Sequence, residues 1–273
     1  MSGIDVSAAA AYLDEAQRTA TAVRQLSANP AATGAGELDV ATAYRVQAAA
    51  YRMRLDRGES AAGVKLGFTS RAKMAQMGIS EIIVGRLTER MRIADGDAVD
   101  LDDLIHPRIE PEIAYLLAED IGDEDTGTDA SGLDRRPPPP SAVAAVAPAL
   151  EIIDSRYRDF SFSLADVVAD NASSARYAIG PWQRPDRDVG NLAVRLDVGG
   201  RLAEVGSTAA ILGHPYRALH RLVRLGRDQG IPLRAGDVVL AGAATAAVPF
   251  IGGLAECAVA GLGRVQVRGS RND

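Results

Sequence analysis

The chain has a single cysteine, Cys257, and three histidines among its 273 residues. One thiol allows no internal disulfide and excludes a zinc site built from several cysteines, which fits a reducing cytoplasm. Aromatic residues make up only 4% of the sequence, and no basic stripe interleaves with them. With a net charge of −6, this argues against a nucleic-acid partner, because phosphate neutralisation needs clustered cations. No apolar run approaches the ~20 residues of a membrane span. The opening MSGIDVSAAAAYLDEAQ carries acids where a signal peptide carries bases. These absences leave a cytoplasmic, globular protein with a small ligand as the expectation.

Lysine is almost missing too. Only Lys65 and Lys73 are lysines; every other cation is arginine. A lysine kept on an apolar stretch, AAGVKLGF, points to a compact point charge or a titratable amine, which arginine does not supply. The commoner fate of such a lysine is to snorkel its ammonium to the surface.

What is present divides the chain at about residue 62. Residues 6–26 are Ala-rich with apolar positions near helical spacing. Residues 39–58 place Asp39 as N-cap, turn Ala41, Tyr44, Ala48 and Met53 toward one face, and stop at Gly58. From 63 onward the pattern is mostly that of strands. RAKMAQMG reads as a short helix ending at Gly78, and residues 119–141, acidic then proline-rich, as an exposed loop. AVAAVAPALEIIDSRY reads as a short apolar helix leading into a strand. LAVRLDV-GG-RLAEV is a hairpin signal, and HPYRALHRLVRLGRDQG is a helix with Pro215 near its start and Gly230 after its end. Strands without regular βα alternation argue for an α+β fold on an antiparallel or mixed sheet. The expected division is a helical region, 1–62, and a catalytic domain, 63–273.

In HPRIEPEIAYLL, Glu110 and Glu112 are two residues apart, so on a strand both point one way, roughly 6.5–7 Å apart at their α-carbons. Ile109, Pro111 and Ile113 then take the core side. Two carboxylates at that spacing can converge on a hard divalent cation; an isolated pair is more often a solvated strand face. Glu151 adds a third carboxylate within the apolar VAAVAPALEII. Burial there calls for a metal or an ion pair, with Arg156 or Arg158 as the partners at hand. Three glutamates with no nearby His or Cys describe an all-oxygen site for Mg²⁺ or Mn²⁺. His106 and His214 each precede a proline and read as turn or cap residues.

GVKLGFTSRAKMAQMG, GRLTERM, HPRIEPEIAYLL, ALEIIDSRY, DVVADNAS and AGAATAAVP occur in that order. Together they resemble the 2-keto-4-pentenoate hydratase / 4-oxalocrotonate decarboxylase family of the fumarylacetoacetate hydrolase superfamily, over roughly residues 40–268. The resemblance implies a mixed β-roll-like sheet core with an N-terminal helical region, a Mg²⁺ or Mn²⁺ cofactor and a homo-oligomer. It also implies a small 2-oxo dicarboxylate substrate and an association with a pathway hydratase. Carried over by motif, Glu110, Glu112 and Glu151 are the metal ligands and Lys65 the active-site lysine. Ser173 and Thr245 match positions near the substrate's carboxylate and oxo groups.

Two departures qualify the resemblance. Hydratases of the family are expected to carry an aspartate shortly before the Gly of the G-x-L block, where SEIIVGRL has Ile83. An isoleucine neither donates a proton nor positions water, whereas decarboxylation through a metal-stabilised dienolate needs neither there. The expected reaction is decarboxylation of 2-oxo-3-hexenedioate in meta-cleavage catabolism of aromatic compounds, with hydration of 2-hydroxypenta-2,4-dienoate as the alternative. A C–C hydrolase ranks lower, since its expected His–Glu pair has no place here. A non-catalytic partner of a hydratase is disfavoured because the three glutamates and Lys65 are all present. The second departure, Gly253-Leu254 in place of the family's Gly-Asp, is expected to affect a turn.

Overall fold

The computed structural model describes residues 4–34, 36–70, 81–121 and 142–271. The helix expected to end at Gly78 and most of the 119–141 loop lie outside them. The strands in chain order are β1 (Ala61–Gly67), β2 (Ile83–Thr88), β3 (Arg92–Ile93), β4 (Ala98–Asp100), β5 (Arg108–Leu117), β6 (Val143–Ile153) and β7 (Ser174–Ile179). They continue with β8 (Ala193–Val198), β9 (Arg201–Ser207), β10 (Val238–Ala243), β11 (Val248–Pro249), β12 (Gly253–Val259) and β13 (Gly263–Ser270).

One sheet runs β2-β1-β10-β5-β6-β7-β3, with β11 added beside β5; a second runs β4-β13-β12-β8-β9. Both are mixed: β1/β10, β3/β7 and β13/β4 pair parallel, the other pairs antiparallel. This is the α+β, mixed-sheet architecture expected from the irregular strand order. The Gly199-Gly200 turn has φ of 60° and 74° and joins β8 to β9 as anticipated. The expected turn is corrected: Gly253, at φ 83°, and Leu254 are the first two residues of β12, paired with Gly269 and Arg268 of β13, so the Gly-Leu departure falls at the start of a strand. No helix among the described residues is long and apolar enough to cross a membrane.

The segment VAAVAPALEII is a correction. It forms one continuous strand, β6, paired with β5 from Leu117↔Val143 to Arg108↔Ile153. Alanine favours a helix locally, but Pro148 in the middle would break one. A full-length partner strand on the β5 side then overrides propensity.

Two helices follow their sequence signals. Pro215–Asp228 begins with His214 as N-cap and Pro215 in the first turn. Val40–Asp56 begins at Asp39, whose carboxylate accepts from Thr42 N–H at 2.7 Å. Its buried face differs in part from expectation: Ala43, Tyr44, Val46 and Gln47 are buried, while Ala41 is exposed. The Ala-rich first helix is shorter than its pattern, ending at Arg18.

The 40–56 helix covers the outer edge of β2. Val84 N–H donates to Tyr44 Oη at 3.2 Å, and Gln47 Nε2 donates to the Val84 and Val168 carbonyls, both at 2.9 Å. An open sheet edge would leave these backbone groups unpaired. Ala9, Leu13, Ala43 and Val46 share one buried cluster with Val64, Leu66, Ile109 and Ile113. A smaller cluster on the opposite face of the large sheet contains Ala114, Ala147, Ala149, Tyr177 and Leu240. Gln47→Leu should therefore lower unfolding free energy by about 1–3 kcal/mol by stranding two buried carbonyls. A urea denaturation curve with an unchanged slope would measure it.

Candidate metal centre

Pro111 is not on an edge, because β5 has β6 on one side and β10 followed by β11 on the other. The ladder is interrupted beside it. Ala243 pairs with Glu112, Val248 with Ile109, and the chain between them leaves the sheet. A proline is tolerated where no N–H is required, and its carbonyl still accepts from Ala244 N–H at 2.9 Å. Pro111 thus joins Ile109 and Ile113 on the buried side, and the two glutamates take the other.

Glu110 pairs directly with Glu151 across β5 and β6. Glu110, Glu112 and Glu151 are 6%, 0% and 0% exposed, and each offers a carboxylate oxygen within 4.8 Å of the others. The solvated-face reading of Glu110 and Glu112 is excluded. Glu151 pairs with neither Arg156 nor Arg158: its Oε2 lies 3.2 Å from Lys65 Nζ, and its Oε1 accepts from Ser174 Oγ at 3.1 Å. Arg156 instead forms a buried pair with Asp170.

Lys65 does not snorkel; it is 3% exposed. It sits three strand spacings from Glu151, about 14 Å in a flat sheet. Contact at 3.2 Å requires the sheet to curl, so that this face is concave. Small neighbours on the same face, Ala114 and Ala149, leave room for the converging side chains.

One cation among three buried carboxylates leaves a formal charge of −2. Burial and the neighbouring charges of Glu151 and Glu110 push Glu112 well above the usual carboxylate range. Burial also raises Glu151 to about 7, against the pull of Lys65. Burial works to discharge Lys65, but Glu151, Glu110 and Glu112 outweigh it and hold its pKa above the ordinary lysine value. These carboxylates favour the ammonium form of Lys65. Among the described residues Glu112 Oε1 has no hydrogen-bond partner, and Glu151 Oε2 has none beyond the ion pair. Stranded, all-oxygen donors of this kind fit a hard divalent cation, which would cancel the excess charge.

The remaining predicted residues lie on other segments. Ile83, 5% exposed, pairs with Gly67 two positions beyond Lys65, on the same face. Ser173 is 3% exposed, with φ 58° and a buried Oγ that has no partner among the described residues. Thr245 is half-exposed on the rim and donates to the Ala246 carbonyl at 3.0 Å.

Two further residues belong to the site. Ser174, next to Ser173, is the one that holds Glu151. Gly242 N–H donates to Glu112 Oε2 at 2.6 Å. A Cβ on Gly242 would lie 2.0 Å from Thr69 Oγ1, and its φ is 117°. The glycine inside a strand pattern was the available signal, since it marks a bulge or a close backbone approach.

A model described as "Fumarylacetoacetate (FAA) hydrolase C-terminal" matches residues 88–268. The chain belongs to the fumarylacetoacetate hydrolase family. Within it, a 4-oxalocrotonate decarboxylase from Pseudomonas sp is 48% identical over 249 residues, covering 91% of this chain and 94% of that protein. A 2-keto-4-pentenoate hydratase from Burkholderia vietnamiensis is 38% identical, covering 75% and 76%. Among solved structures, 4-oxalocrotonate decarboxylase from Pseudomonas putida G7, complexed with magnesium and adipate, superposes with a TM-score of 0.86 at 34% identity, covering 97% of both chains.

Because Gly242 combines positive φ, contact with Thr69 and the Glu112 hydrogen bond, Gly242→Ala should destabilise the fold by about 2 kcal/mol or more. It should also weaken Mg²⁺ binding at least several-fold. Thermal unfolding and calorimetric titration with Mg²⁺ check the two effects separately.

Proposed function

We propose that the chain decarboxylates 2-oxo-3-hexenedioate (4-oxalocrotonate) to 2-hydroxypenta-2,4-dienoate and CO₂, dependent on Mg²⁺ or Mn²⁺. The observation that carries this reading is the buried glutamate triad, with unpartnered oxygens beside one buried lysine. It occurs in a chain 48% identical to a 4-oxalocrotonate decarboxylase. Glu110, Glu112 and Glu151 are the metal ligands, Lys65 is the catalytic cation, and Ser173, Thr245 and Ile83 contact the substrate. The exposed Leu202 and Val205 on edge strand β9 support self-association, and hence a homo-oligomer.

Bound at the triad, a divalent cation supplies Lewis acidity that favours negative charge on the substrate's 2-oxo oxygen. The bond that breaks joins C5 to the distal carboxylate carbon. Its electron pair forms C4=C5, the C3=C4 pair moves to C2=C3, the 2-oxo oxygen gains the charge, and CO₂ leaves. Lys65, held as an ammonium by the glutamates, stabilises this dienolate and supplies a proton to its oxygen. Ser173 Oγ donates to a substrate carboxylate oxygen. Ile83 presents alkyl surface, which excludes water and disfavours the charged carboxylate relative to neutral CO₂.

Ile83 is what favours decarboxylation over hydration, the reaction of the 38%-identical relative. Adding water to the dienoate requires a group that polarises it, and isoleucine has none. Purified protein with Mg²⁺ should consume 2-oxo-3-hexenedioate with stoichiometric CO₂ release. Ready hydration of the dienoate without CO₂ release from the oxohexenedioate would sink the proposal. Glu112→Gln should leave the circular-dichroism spectrum intact and abolish metal-dependent turnover.

Ile83→Asp should slow decarboxylation at least about tenfold, since ~1.4 kcal/mol of added charge repulsion is enough for that factor. The ratio of CO₂ release to dienoate hydration, measured in both proteins, reads the shift.

A further inference from the structure

Three consecutive non-glycine residues, Asn171, Ala172 and Ser173, adopt left-handed backbone with φ of 52°, 51° and 58°. Each such residue is strained, and a run of three persists only where the surroundings over-determine it. Two anchors hold this one. On the N-terminal side Asp170 receives Nε and the backbone N–H of the buried Arg156, and Ser155 Oγ donates to the same carboxylate. The second anchor is the Asn171 side chain. Its Oδ1 accepts from Arg86 N–H at 2.7 Å and its Nδ2 donates to the Arg86 carbonyl at 2.9 Å.

Those two bonds imitate a neighbouring strand. Among the described residues β2 ends its sheet, so the outward N–H and C=O of Arg86 have no strand to meet. The amide of Asn171 satisfies both, and asparagine also tolerates positive φ better than other side-chain-bearing residues. The turn is thereby pressed against Gly85: a Cβ there would lie 2.6 Å from the Asn171 carbonyl oxygen and 3.3 Å from Ala172 Cβ. Gly85 is the residue paired with Lys65, and Ile83 lies two positions before it. Beyond the turn, Ser174 holds Glu151. The turn thus runs from the β2 edge to a metal-ligating residue and carries the unpartnered Ser173 hydroxyl between them.

We propose that Asn171 is a positioning residue: its amide docks the left-handed turn on the β2 edge and thereby aims Ser173 Oγ at the substrate carboxylate. This rests on the reading that Ser173 contacts the substrate. The assignment to Asn171 comes from the turn's own geometry. Asn171 acts through Ser173 and touches no reacting atom.

The test uses Asn171→Gly, Ser173→Ala and the double variant in the full-length protein loaded with Mg²⁺. Glycine adopts φ near +50° without strain, so Asn171→Gly removes the amide while leaving the backbone free to turn. The readouts are Mg²⁺ affinity, the affinity of the unreactive dicarboxylate adipate, the KM and kcat for 2-oxo-3-hexenedioate, and the melting temperature. Adipate affinity should fall about tenfold or more in each single variant, and KM should rise in step. The double variant should bind adipate no more weakly than Ser173→Ala alone, because two residues acting as one unit are non-additive. Mg²⁺ affinity should stay within about threefold.

A merely structural Asn171 would instead lower the melting temperature and leave adipate affinity unchanged, which overturns the proposal. Losses that multiply in the double variant overturn it too, since Asn171 would then act independently of Ser173. So would wild-type protein that binds Mg²⁺ but not adipate, because no carboxylate would be held for Ser173 to meet. Failure of CO₂ release alone would count against the decarboxylase reading and leave the adipate comparison decisive for Asn171.

Discussion

Everything near the centre of this protein is arranged around the mutual repulsion of three buried carboxylates. Glu110, Glu112 and Glu151 share one face of adjacent strands, and their burial leaves little solvent to screen their charge. A buried ion pair with Lys65 offsets part of that repulsion, but such a pair is weak evidence for stability, because desolvation offsets much of its attraction. Gly242 N–H and Ser174 Oγ neutralise a little more, each by one hydrogen bond. The arrangement makes physical sense as a place where a divalent cation supplies the missing charge. Stability has been set aside locally for chemistry, as at many functional sites.

The rest of the fold holds these groups in place. The curl of the large sheet brings β1 and β6 within reach of one another through their side chains. The 40–56 helix seals the β2 edge with Tyr44 and Gln47, and Asn171 seals it one pleat further on. Arg156 forms a buried knot that joins the end of β6 to the start of the left-handed turn, with donors to the Asp154, Asp170 and Ser174 carbonyls as well as the Asp170 carboxylate. Asp154 in turn accepts from Ile105 and His106 N–H, which sets the entry to β5. The ends of the two glutamate-bearing strands are therefore tied to each other through buried and partly buried polar contacts.

Within one family, the choice of reaction turns on few atoms. On the proposed reading, decarboxylation and hydration share a cation near a 2-oxo acid and a protonated lysine, and differ over what stands beside Lys65. Ile83, packed against Gly67, supplies surface without polarity. A carboxylate there would repel a departing carboxylate and could polarise water, and an alkyl group does neither.

Much of the site was legible in the residues alone, because its signals are local. The two-residue period of a strand puts Glu110 and Glu112 on one face, and glutamate within an apolar run marks Glu151. Glycine pairs, N-caps and a proline in a first turn likewise act within a few residues, so the hairpin and the longer helices could be placed. What depended on partners distant in the chain could not be read that way. Alanine content suggested a helix before β6, where pairing with β5 imposed a strand. Arginines close in sequence to Glu151 offered themselves as its partner, yet Lys65 reaches it from three strands away. The Ser174 and Gly242 contacts with Glu151 and Glu112, and the docking of Asn171 on Arg86, emerged only with the fold. Sequence determined which groups could do the chemistry; tertiary structure decided which of them meet, because register and sheet curvature, not spacing along the chain, set distances between strands.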